Sequence, residues 1–153
     1  MFEDHANTIW LVHVATTIFL VGLIWVVQVV HYPLFALVGT ERFHDYWRSH
    51  TRLITWLVAP TMLTEVGSGV LLFFVRPSGL SLSVLVFAFG LIIVIWLSTW
   101  FVQVPCHERL GRRFEPATLR RLVRTNWIRT VAWTIRGGLL LTQTWNLIRL
   151  PVV

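Results

Sequence analysis

Lysine is absent from this 153-residue chain, so its 13 basic side chains are all arginines. Cysteine occurs once, as Cys106, which excludes an internal disulfide and a paired redox thiol. Charge is scarce as well: Asp, Glu, Lys and Arg make up 13% of residues, against about a quarter in ordinary soluble domains. Extended polar segments are missing, because the longest gap between apolar runs, residues 105–126, holds 22 residues, whereas a soluble domain needs at least about 50. What is present is apolar. Hydrophobic residues make up 56% of the chain and the mean hydropathy is +0.69, which together exclude a water-soluble fold.

The apolar residues fall in four runs, roughly 9–30, 53–75, 82–104 and 127–148, each 22 or 23 residues long. At about 1.5 Å per residue each can cross a hydrocarbon core of about 30 Å, so the chain is expected to be a single all-α, four-helix integral membrane bundle. Residues 1–8 carry Glu3 and Asp4 but no arginine, and no small-residue cleavage pattern follows the first run, which therefore reads as a retained helix rather than a secretory signal. Arginine placement gives the orientation. Arg42, Arg48, Arg52, Arg109, Arg112, Arg113, Arg120, Arg121 and Arg124 lie in or beside the first and third connections, against Arg76 and Arg149 on the other side. That asymmetry puts these connections in the cytoplasm and both termini outside, and it assigns the arginines to anionic lipid headgroups rather than to nucleic acid.

Prolines punctuate the helices. Tyr32-Pro33 is expected to end the first and Pro105 the third, while Pro60 should kink the second or lodge against a neighbour. The connection 34–51 mixes Phe35, Phe43, Tyr46 and Trp47 with charges and reads as a short interfacial helix continuous with the second span. Arg76-Pro77-Ser78-Gly79 is a tight turn. Glu115-Pro116 places proline at a first helical position, predicting one long helix from Ala117 through the fourth span, ended by Leu150-Pro151. The motif Trp25-x-x-Gln28-Val29 returns as Trp100-x-x-Gln103-Val104, each copy followed by a proline and an Arg-Phe pair, a pattern consistent with parallel duplication of a two-helix unit.

An ionisable group in hydrocarbon costs several kcal/mol unless paired or hydrated, which singles out Glu65. Helical rise puts it about 18 Å above the cytoplasmic edge and Arg136 about 14 Å above it, so the two are expected to meet, either as packing glue or as a proton or substrate site. Thr61, Ser68 and Gly69 share the Glu65 face, a small polar stripe suited to close helix approach. Arg129, only about 3 Å deep, is free to snorkel. Asn126, Arg129, Trp133 and Arg136 lie on one face as a clamp for an anionic group such as a quinone oxygen, a haem propionate or a lipid phosphate. His13 and His31 are about 27 Å apart along one helix and cannot share a site. His31 instead reaches the cytoplasmic mouth, where Gln28, His50, Gln103, His107 and Asn126 also arrive. There His31, His50 and His107 could ligate a nonhaem metal, or two of them a haem, although no local metal motif accompanies them and ordinary hydrogen-bonding histidines are the plainer reading. Most tryptophans fall near span ends, as interface anchors do; Trp133 does not.

The string Gln28-Val29-Val30-His31-Tyr32-Pro33-Leu34-Phe35, followed by Phe43, Tyr46, His50 and the Pro60 to Glu65 segment, resembles a group of short bacterial four-helix membrane proteins to which no activity is attached. Size and layout are similar to anthrone-oxygenase-like proteins. His13 followed by Trp25, with a basic cytoplasmic side, is similar to the small haem-binding protoporphyrinogen oxidase of bacteria. The last likeness implies a haem or quinone redox role, and the chain is expected in the bacterial inner membrane. The expected function is thus a membrane-embedded cofactor-binding protein. Glu65, Arg129 and Arg136 are its catalytic candidates; His13, His31, His50, His107, Gln28, Gln103, Asn126 and Trp133 are its cofactor-binding ones. Two alternatives stand beside it: an accessory subunit of a larger membrane complex, and a small transporter acting as a homodimer.

Overall fold

The computed structural model describes residues 2–149, all of them helical or in short connections. Four rods dominate: α1 (Phe2–Val26), α2 (Thr40–Phe74), α3 (Leu82–Ser98) and α4 (Pro116–Arg149). The stretches Glu3–Phe35, Thr40–Phe74 and Leu82–Arg112, built on α1 to α3, are each long and apolar enough to cross a membrane, which makes this a multi-pass membrane protein. The fourth rod is 34 residues long but more polar. Its polarity is turned inward: Asn126, Arg129, Thr130 and Arg136 are buried, whereas Ile128, Val131, Ile135, Leu141 and Ile148 are exposed on its outer surface. A helix in water would show the reverse.

Two expected helix ends are overturned. Pro33 and Pro105 do not stop their helices, because each is preceded by a wider π-helical stretch, Val27–His31 after α1 and Thr99–Gln103 after α3. In a regular α-helix the proline ring meets the carbonyl four residues back and leaves it without a donor. Here the chain shifts register first: Tyr32 N–H bonds Val27 O and Val104 N–H bonds Thr99 O, both five residues back. Helix then resumes as Tyr32–Phe35 and Val104–Arg112. The π stretches and prolines repeat at an offset of 72, the Trp-x-x-Gln-Val motif at 75, so the two halves share a device without superposing residue for residue.

The interfacial segment is continuous with the second span, as expected, and α2 begins at Thr40. Pro116 opens α4 as expected, while Leu150-Pro151 lies outside the described residues. The α2–α3 turn closes with Leu80 N–H on Pro77 O at 3.1 Å, and Gly79 takes a φ of 86°, where a side chain would be strained. Ser78 N–H donates to Glu3 Oε1 at 2.9 Å, tying the start of α1 to this turn. Around the bundle α1 packs on α2 and α4, and α4 on α3; α2 and α3 meet more sparsely. The main core cluster, including Leu20, Ile24, Phe35, Phe43, Met62, Ile95 and Trp133, fills the half nearer the arginine-rich connections.

Candidate functional site

Midway along the bundle, α1, α2, α3 and α4 converge on one buried charge network. Arg136 Nη1 pairs with Glu65 Oε1 at 2.6 Å, both side chains fully buried. Arg136 Nε donates to Ala88 O at 3.1 Å, and its two Nη groups also reach Thr17 Oγ1 and His13 Nε2. A guanidinium only donates, so His13 Nε2 accepts and its Nδ1–H faces Ser68 Oγ at 2.8 Å. Ser68 in turn donates to Thr64 O, 2.7 Å away. Thr17 Oγ1 and Trp133 Nε1 complete the carboxylate, at 2.9 Å from Oε1 and 3.2 Å from Oε2. Gly69 permits this approach: a Cβ there would lie 2.9 Å from His13 Cε1. The expected Glu65–Arg136 pair therefore forms, with Ser68 and Gly69 contributing as anticipated. Thr61 does not join, since its hydroxyl donates to Leu57 O on its own helix at 2.8 Å.

Nearer the arginine-rich end a second polar cluster forms around the histidines. His31 Nε2 and His50 Nδ1 are 2.6 Å apart, the His50 and His107 ring centroids 6.4 Å apart, and Tyr32 Oη lies 3.1 Å from His107 Nε2. Gln28 accepts from Asn126 Nδ2 at 2.7 Å and donates to Val123 O at 3.2 Å, which closes the α1–α4 seam. Asn126 Oδ1 accepts from Arg129 Nε at 2.9 Å and also from its Nη2. Arg129 Nη1 reaches Thr99 Oγ1 at 3.4 Å. Arg129 does not snorkel; it is 7% exposed, held inward by Asn126. Glu65–Arg136 is a fully buried ion pair, whereas no carboxylate of the described residues lies within ion-pair distance of Arg129.

Between these clusters lies a cavity of about 600 Å³, within the range of small-molecule sites. Leu20, Ile24, Val58, Met62 and Trp133 give it an apolar body; Gln103, His107, Arg129 and Thr51 give it a polar end. Leu63 and Trp100, each 59% exposed, form its flank, on α2 and just beyond α3. Among the described residues, six buried side-chain polar atoms lack a hydrogen-bond partner: Trp47 Nε1, Thr51 Oγ1, Trp96 Nε1, Ser98 Oγ, Gln103 Oε1 and His107 Nδ1. All but Ser98 belong to residues lining this one cavity. A native interior leaves few such groups unpaired, and here five of the six gather around one cavity.

The residues expected at a site divide accordingly. His50, His107, Gln103, Arg129 and Trp133 line the cavity. His31 lies on a smaller groove of about 380 Å³ between α1 and α2, shared with His50. Glu65, Arg136 and His13 are occupied with one another, and Gln28 and Asn126 with the α1–α4 seam and Arg129. Of the four residues expected as an anion clamp, Arg129 and Trp133 line the cavity, while Asn126 and Arg136 are engaged with neighbouring side chains. No group of three or more His, Cys, Asp or Glu is placed to hold a metal ion among the described residues. As arranged, His31 Nε2 and His50 Nδ1 face each other and His107 Nε2 faces a phenol, while His107 Nδ1 is a fully buried imidazole nitrogen without a partner. Trp47, Thr51 and Trp96 were not among the sequence candidates, because tryptophans near span ends look like interface anchors until the helix rotations are known. No protein-family model, curated protein or solved structure matches the chain.

Proposed function

We propose that the protein binds an amphiphilic small molecule taken from the bilayer, with its apolar body along Ile24, Val58 and Met62 and its polar head against Gln103, His107 and Arg129. The observation that carries this reading is the gathering of unpaired buried polar atoms around one apolar cavity. Indole N–H groups and a guanidinium supply donors, Gln103 Oε1 an acceptor, and Thr51 and His107 either. The surrounding frame is a four-span bundle whose fourth span is α4, supported by its apolar outer face, with the arginine-rich connections in the cytoplasm and both termini outside.

The test is to purify the protein in mild detergent, extract it with organic solvent and identify bound molecules by mass spectrometry, beside an Ala59→Trp variant that fills the cavity. A compound of defined mass, near one per chain in the wild type and depleted in the filled variant, is expected. Identical extracts from the two proteins would sink the proposal. The same sample examines the redox reading: a quinone is identified in the extract, a haem by an intense band near about 400–430 nm, and a nonhaem metal by elemental analysis.

A further inference from the structure

We infer that the head group held at Arg129 is a singly charged oxyanion, the carboxylate of a lipophilic acid, a conclusion that rests on the cavity being a ligand site. Two buried guanidiniums stand in this bundle and only one has a carboxylate. Arg136 is matched by Glu65. Arg129, 7% exposed and lining the cavity, is held by uncharged side chains, Asn126, Thr99 and the Tyr32 phenol. A guanidinium stays charged in proteins, and a buried charge is costly unless an opposite charge accompanies it. Its remaining geometry specifies the partner. Nε and Nη2 are both directed at Asn126 Oδ1, the side-on fork, and Nη1 makes one long contact of 3.4 Å to Thr99. The Tyr32 hydroxyl also lies against the guanidinium, so one of its five N–H groups stays free for an anionic oxygen and the long Thr99 contact is readily exchanged for a second, which suits the two oxygens of a carboxylate. His107 Nδ1, able to donate in one tautomer, and Thr51 Oγ1 stand unpaired in the same lining. A cavity of about 600 Å³ takes one drug-sized molecule rather than a two-chain phospholipid, which selects a free acid over a lipid headgroup.

Parinaric acid and its methyl ester, read by energy transfer from the protein's tryptophans, test this in nanodiscs of zwitterionic lipid at alkaline pH, with protein-free discs as the partition control. The wild type is expected to hold the acid at least about tenfold more tightly than the ester, the size of one charge-assisted interaction. Arg129→Gln should abolish that preference while leaving ester affinity within about twofold. Arg129→Lys, which keeps the charge and guards against a folding defect, should retain part of it. Ala59→Trp should weaken both probes. Equal affinities in the wild type, both lost in Ala59→Trp, would overturn the anion inference and leave the cavity reading standing. A preference for acid that survives in Arg129→Gln would overturn it as well. No saturable binding of either probe would remove both readings.

Discussion

Glu65 is the carboxylate on which the interior of the bundle turns, and its surroundings predict how substitutions there behave. Glu65→Ala strands Arg136 among low-dielectric surroundings and should cost about 3–5 kcal/mol in detergent-solubilised thermal unfolding, whereas Glu65→Gln keeps an acceptor and should be milder. The Glu65→Ala and Arg136→Ala losses should fall short of adding in the double variant, since each removes the other's partner. Unfolding of Glu65→Ala at the wild-type temperature would show that the network does not hold the helices together. This pair was legible in the sequence because helical rise alone fixes depth, and a buried anion needs a cation at the same depth. The fates of the neighbouring residues were not legible. His13, a cofactor candidate, accepts from Arg136, and Arg129, shallow enough to reach water, turns inward to Asn126. Depth is one-dimensional; which way a side chain points also depends on helix rotation, and spacing within one helix does not supply that.

At the scale of elements, the π stretches do what neither residue composition nor proline position announced. They carry each helix past its proline, and each inserts one extra residue per turn's register, which re-aims everything that follows by about 100°. Gln103 and His107 owe their place at the cavity to the stretch Thr99–Gln103. Pro105→Ala restores an amide N–H that can bond Phe101 O, so that stretch should relax to α-helix and rotate His107 away from the residues before it. The expected outcome is reduced bound ligand per chain, by quantitative extraction, together with an unfolding temperature unchanged or raised. Unaltered ligand content would mean the wide turn is a mere accommodation of proline. Proline rules on their own favoured helix ends, because the rule is local and the remedy, a register shift, is visible only from the paired backbone groups. The long helices starting at Thr40 and Pro116 were easier to read, since a proline at a first turn and an aromatic-rich interfacial segment are local signals that agree with the global fold.

For the molecule as a whole, arginine placement carries the proposed sidedness. In a Cys106→Ser background, cysteine at Ser78 should react with a membrane-impermeant thiol reagent in intact cells, and cysteine at Ala117 only after lysis; the opposite pattern would invert the topology. The bundle itself was readable because four apolar runs with short links leave few arrangements. The cavity was not, since it arises from unequal seams: Gln28 and Asn126 close the α1–α4 side, while Gln103 and Thr51 keep unpaired atoms where α2 and α3 meet sparsely. The flank of that seam, at Leu63 and Trp100, is exposed on two of the stretches long and apolar enough to cross a membrane. On the function proposed above, a molecule arriving there diffuses in two dimensions and never leaves the lipid. Occupancy is then governed by mole fraction in the membrane, so diluting a sample with buffer should leave binding untouched, whereas adding more lipid should empty the site.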